Sequence, residues 1–156
     1  MQHAAHKYLD SLGIPFEALS FPASIQKGAA SVALVLGRNF TCHQVVKSLV
    51  FETSTGELIL VLLGGDQSVV SGLLKKAVSD RNIRMAPPDR IRELSGYEIG
   101  SIPPFSWQPP GFRTYIDDSL LRESLLAVGA GTWGQEIILT PSNLVRASRA
   151  IPAKLT

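Results

Sequence analysis

The run Val45-Val46-Lys47-Ser48-Leu49-Val50-Phe51 is where the fold is decided. Its β-branched and aromatic residues, followed by the turn-prone Thr53-Ser54-Thr55-Gly56, predict a strand. Side chains alternate along a strand, so Val45, Lys47, Leu49 and Phe51 are expected on one face and Val46, Ser48 and Val50 on the other. Lys47 then shares a face with three large apolar residues. An ammonium is costly to desolvate, so either the stem snorkels to a rim or the charge sits in a pocket that receives an anion. The run by itself leaves both open.

Working outward, Leu58 to Leu63 predicts a second strand, antiparallel to the first across the Thr-Ser-Thr-Gly turn. Gly64-Gly65-Asp66 breaks the pattern. Val69, Val70, Leu73, Leu74, Ala77 and Val78 then follow helical spacing, with Asp66 or Ser68 as candidate N-cap. Upstream, His3 to Leu12 and Ser24 or Lys27 to Leu36 are helical stripes on either side of a short strand, Phe16 to Leu19. Downstream, Pro87-Pro88 introduce a short helix, Asp89 to Leu94. Arg113 to Ile116, Leu125 to Val128 and Glu136 to Leu139 predict three further strands. Thr140 and Pro141 mark the N-cap and first position of a closing helix. Mixed helices and strands, several of them necessarily antiparallel, give an α+β domain around a mixed sheet.

The bounds are simple. A chain of 156 residues and 16.8 kDa is expected to be one domain, 1–156, with a real core. The longest apolar run, Leu58 to Leu63, is too short to span a bilayer, and the N-terminus has neither apolar core nor cleavage site of a leader. Cys42 is the sole cysteine, which excludes an internal disulfide and fits a reducing, cytoplasmic setting. The net charge of +2 does not announce nucleic-acid binding.

Two stretches have the chemistry of a site. Gly129-Ala130-Gly131-Thr132-Trp133-Gly134 offers backbone N–H groups with little bulk before them, either as an anion-binding nest or as a plain hairpin turn. Gly100-Ser101-Ile102-Pro103-Pro104-Phe105 couples a flexible glycine to a rigid proline pair, which can hold a fixed wall with free carbonyls or form a structural crossover. His43 has the strand parity of Lys47 and is a candidate neighbour. His3, His6 and His43 do not make a metal-ligand set. Cys42 fits a small apolar filler, Asp117-Asp118 fit turn or N-cap duty, and no serine has a His and Asp partner. Lys75, Lys76, Arg81, Arg84, Arg90 and Arg92 form either a phosphate-tracking patch or the solvated face of two helices, and the second is the default.

Taken in order, Gln44 to Phe51, Gly64-Gly65-Asp66, Ser95 to Phe105, Tyr115-Ile116-Asp117 and Val128 to Gly131 resemble the YbaK/prolyl-tRNA-synthetase-associated editing domains, from about Ala29 to the last helix. The resemblance implies a twisted, largely antiparallel mixed sheet, partly closed like a barrel and surrounded by helices. It implies a free-standing or synthetase-linked hydrolase that removes a wrongly attached amino acid from the 3′ end of tRNA, without metal or cofactor. Lys47 matches the essential lysine. Gly100 to Pro104 match the Gly-x-x-x-Pro loop, with Ser101, Ile102 and Pro103 inside it, and Gly129, Ala130 and Gly131 match the glycine turn facing the substrate. Pro103, Pro104 and Phe105 are then expected to wall the amino-acid pocket. The chain departs from the pattern at Ser101 and Pro103, where a second Gly and a Ser are common, and at Ala130, where some members have His. These departures bear on which amino acid is removed, and the Ile-Pro-Pro-Phe-Ser form resembles free-standing members acting on small amino acids. A non-catalytic module that binds aminoacyl-tRNA or a synthetase, and a hydrolase of another small ester or nucleotide, are the rival readings.

Overall fold

The computed structural model describes residues 3–156, so Met1 and Gln2, which open the stretch read as lacking a leader, lie outside it. Leu58–Gly64, strand β3, is the centre of the molecule. It pairs antiparallel with β2 (Val46–Glu52) and parallel with β5 (Thr114–Asp117). Every residue of β3 is buried because both faces are covered. Leu58, Leu60 and Leu62 point into the main core, and Ile59, Val61 and Leu63 into a second cluster with Leu74 and Val78. That is why the run is apolar without alternation, each such side chain contributing about 1.5–3 kcal/mol on burial.

The five-stranded sheet is completed by β4 (Arg84–Met85), antiparallel to β2, and β8 (Ile151–Ala153), parallel to β5. A three-stranded sheet holds β1 (Glu17–Ser20), β7 (Gln135–Leu139) and β6 (Leu126–Gly129), antiparallel throughout. The two sheets touch at a single parallel bridge, Val45 to Ala127. The surface therefore curls like part of a barrel without closing. Five α-helices surround it among the described residues: α1 (Ala4–Ser11), α2 (Ala29–Leu36), α3 (Ser71–Val78), α4 (Pro88–Ser95) and α5 (Pro141–Ser148). Thr140 caps α5 through a hydrogen bond from Asn143 N–H, with Pro141 at its first position, as the sequence predicts.

Three expectations are corrected. Val45 precedes β2 and joins Phe21, Val32 and Ala33 in a third cluster, because the bridge to Ala127 turns it from the face of Leu49 and Phe51. Helix α3 begins at Ser71, not at Val69, and neither Asp66 nor Ser68 caps it. Val70 is held extended instead, its N–H bonded to Leu155 O at 2.8 Å. β4 and β8, short edge strands, have no counterpart in the sequence reading.

Candidate functional site

A cavity of about 280 Å³ opens where the two sheets part after the Val45–Ala127 bridge. Its floor is the first half of β2, Val46 to Leu49, before β4 joins that strand at Phe51. One wall is the start of α2, the other Ile99, Gly100 and Ile102, and Gly129, Trp133 and Glu136 close the end. The approach of α2 depends on Gly65. A Cβ there would lie 2.2 Å from the Ala29 Cβ and 2.5 Å from the Cys42 carbonyl oxygen, so no larger residue lets these elements cross. Trp133 is fixed by its indole N–H to Ile25 O (3.2 Å) and by an edge-on contact with Phe21.

Lys47 lines this cavity, half-buried, and among the described residues its side chain has no salt bridge and no hydrogen bond. With Leu49 it also borders a neighbouring cavity of about 310 Å³ on the α3 side, so it stands on the rim between the two. A cation in that position, half-desolvated and without an internal counter-ion, is chemically suited to an anion or a polarised carbonyl supplied from outside.

The expected loop and turn come together: a Cβ on Gly129 would be only 3.5 Å from the Ser101 carbonyl oxygen. Gly100 and Ile102 line the cavity beside Gly129. The rest of both stretches does otherwise. Pro103, Pro104 and Phe105 lie behind the wall in the core, Phe105 stacked on Tyr8. The proline carbonyls are not free. Pro103 O accepts from the Trp107 indole N–H at 2.6 Å and Pro104 O from Gln108 at 2.9 Å. Ala130 is buried in the main core with its N–H bonded to Gln135 O at 3.1 Å, and Gly131 packs against Tyr97. Only Gly129 of the turn's three residues lines the cavity.

The alternation of ladder hydrogen bonds settles which peptide groups face inward. Since Ala130 bonds to Gln135, Gly129 is in the non-bonded register with Glu136, and its peptide groups turn away from β7. Since Val50 O accepts from Ala86 N–H, Ser48 likewise turns its peptide groups away from β3. Both point into the gap between the sheets.

Other candidates are structural. His43 does not line the cavity. It covers Gly64 and bonds through Nδ1 to Asp66 Oδ1 at 2.7 Å. Asp117 caps the turn that follows β5 and also accepts from Leu155 N–H at 2.9 Å and from the Gln67 amide. Burial pushes its carboxyl up, but the hydrogen bonds from Ser119, Leu155 and Gln67 outweigh this and hold it below the ordinary value. Of the six cations in the 75–92 stretch, Arg84 and Arg90 both pair with buried Glu52 and Arg92 pairs with Glu98.

Glu136 is the site residue that the sequence reading missed. It is 6% exposed, its Oε2 has no hydrogen-bond partner among the described residues, and burial pushes the carboxyl up to about 8. The signal was present: it opens a strand whose next residues, Ile137 and Ile138, are apolar on both faces, the same anomaly that marked Lys47.

The chain has relatives among known proteins, in sequence and in fold. The chain is 27% identical to the uncharacterized protein YwhH of Bacillus subtilis (strain 168) over 122 residues, 78% of this chain and 73% of YwhH. It is 30% identical to the Multifunctional Ser/Thr-tRNA deacylase ProXp-y of Escherichia coli (strain K12) over 90 residues, 56% of this chain and about half (53%) of that protein. A crystal structure assigned as a trans-editing enzyme for prolyl tRNA synthetase superposes with a TM-score of 0.89 at 29% identity, covering 100% of this chain and 98% of the other. The profile of the aminoacyl-tRNA editing domain matches residues 26–147, a span that takes in β2, the 95–105 loop and the glycine turn. The chain belongs to the aminoacyl-tRNA editing domain family.

Proposed function

We propose that this editing hydrolase acts in trans, as one domain, on the 3′ end of a mischarged tRNA in the cytoplasm, and removes a small amino acid by hydrolysing its ester. The observation that carries the reading is Lys47, a half-buried cation without a partner among the described residues, in one cavity with Gly129 and the 99–102 loop. The relatives named as a Ser/Thr-tRNA deacylase and as a trans-editing enzyme for prolyl tRNA synthetase support it. A partnership with a prolyl-tRNA synthetase follows from the same likeness.

An aminoacyl ester needs a positioned water and stabilisation of the oxyanion that develops at its carbonyl. Gly129 N–H is suited to the second role. Lys47 holds the terminal phosphate or ribose, or polarises the carbonyl. Among the described residues that line the cavity the one carboxyl, Glu136, is protonated near pH 7, so a neighbouring ribose hydroxyl of the substrate relays the water's proton to the departing ribose oxygen. At about 280 Å³ the cavity lies below the usual ligand-pocket range of roughly 300–1,000 Å³, which favours small side chains. Editing is needed because one methylene changes binding by only about 1–3 kcal/mol, so a second sieve must clear the errors.

The test is a deacylation screen against tRNAs charged with Ala, Ser, Thr and Cys, with Lys47→Ala beside the wild type. Release of at least one amino acid, lost in the variant while its circular dichroism is unchanged, is the expected result. Binding of tRNA without release would make the chain a binding module, and full activity of a folded Lys47→Ala would remove the lysine from the mechanism.

A further inference from the structure

Glu136 is the one acid among the described residues that line the cavity. Lys27 and Lys47 line it too, yet neither forms a salt bridge with Glu136. A buried carboxyl oxygen left without a donor is unfavourable, and among the described residues Glu136 Oε2 has no hydrogen-bond partner. Its position is specific. Glu136 sits directly across the ladder from Gly129, in the register where side chains share a face and approach closely. Gly129 has no side chain to block it, and both residues line the one cavity, so the carboxyl and the peptide group suited to the oxyanion serve the same space.

In an aminoacyl ester the α-nitrogen is two bonds from the carbonyl carbon. A substrate whose carbonyl oxygen meets Gly129 N–H therefore carries its nitrogen to the neighbouring position. We propose that Glu136 is the anchor for the α-ammonium of the amino acid to be removed, a proposal that rests on the cavity being the editing site. In the free protein the carboxyl is neutral near pH 7, since burial pushes it up to about 8. The arriving amine takes that proton, or an arriving ammonium displaces it to solvent. Both routes give one carboxylate paired with one ammonium. The charge on Glu136 is thus formed with its partner and never stands alone in the cavity. Lys47 and Glu136 then divide the substrate, the cation taking the phosphate, ribose or ester end and the acid taking the amine.

The test compares two nearly isosteric substrates on the same tRNA: the aminoacyl ester and the 2-hydroxyacyl ester obtained from it with nitrous acid, which lacks the positive charge. The wild type is expected to prefer the amine in kcat/KM by at least tenfold. Glu136→Gln is expected to lose that preference, with the 2-hydroxyacyl rate changed less than twofold and the effect on the amine mainly in KM. Equal rates on both substrates with the wild type, a measurement that needs no variant, would overturn the proposal, as would a Glu136→Gln that slows both alike. Failure of the wild type on every mischarged tRNA would instead overturn the deacylase reading, and the anchor with it.

Discussion

Gly131 lies so close to Tyr97 that a Cβ built on it would be 2.7 Å from the ring Cε1. Its φ of +114° is also one that L side chains rarely adopt. The glycine turn is thus docked on the loop that walls the cavity. Gly131→Ala is expected to destabilise the fold by about 1–3 kcal/mol. Adding Tyr97→Leu should recover the steric part and leave the backbone part. A double-mutant cycle in urea measures this, and additive losses would show that turn and loop are not coupled through this contact.

How far the sequence alone reaches follows from the same contrast of local and tertiary causes. β2, β3 and the start of α5 are legible because their signals are local: β-branched runs, a turn, and a Thr-Pro cap. Val69 and Val70 fit a helix on spacing but lie outside it, Val70 extended with its N–H bonded to Leu155 O, far along the chain. β8 holds Pro152 and the half-exposed Ile151 on a sheet edge, where neither composition nor alternation marks a strand. Lys47, Gly100, Ile102 and Gly129 line one cavity, and it is the order of the stretches, not strand parity, that singles them out, since Val46 and Ser48 of the other parity line it too. Pro103, Pro104 and Ala130 fall behind the wall, since which side of a loop faces a cavity depends on partners such as Trp107 and Gln135.

Among the described residues Lys47 has no salt-bridge or hydrogen-bond partner for its side chain, so its removal should cost the fold little and the activity much. Lys47→Met keeps an unbranched apolar stem of similar length and removes the charge. Its urea midpoint is expected to match the wild type within about 0.5 kcal/mol of stability, while deacylation falls by about a hundredfold or more. A matching loss of stability would make the lysine structural.

Two carboxyls give opposite pH signatures. Asp117 is held below its ordinary value in the fold. Its stabilisation is therefore present above the unfolded pKa of about 3.9 and is lost as pH falls through the folded value. Asp117→Ala, which strands the Leu155 and Ser119 N–H groups, should cost about 2–4 kcal/mol near neutral pH. Glu136 is raised to about 8. Its contribution is whole below the unfolded value of about 4.3 and is lost as pH rises through the folded one, with a slope of about 1.4 kcal/mol per pH unit between them. Urea unfolding across that window should show stability declining with pH in the wild type and less so in Glu136→Gln. An identical slope in both would mean that Glu136 is ionised in the fold.

The cavity wall is held from behind by Trp107, whose indole N–H bonds to Pro103 O and whose ring meets Phe112 edge-on at 5.1 Å between centroids. Ile102, one residue before that carbonyl, lines the cavity and is itself buried. Trp107→Phe keeps most of the aromatic contact and deletes the donor, which should cost about 0.5–1.5 kcal/mol of stability. A freed Pro103 carbonyl is expected to loosen Ile102 and, if that side of the cavity sets the size limit, to relax it. The variant should therefore hydrolyse tRNA carrying a bulkier residue faster relative to tRNA carrying a small one, with a smaller change in the small-substrate rate. Measuring the ratio of kcat/KM for the two substrates decides it. An unchanged ratio in a destabilised protein would confine Trp107 to holding the fold and place size selection elsewhere in the cavity.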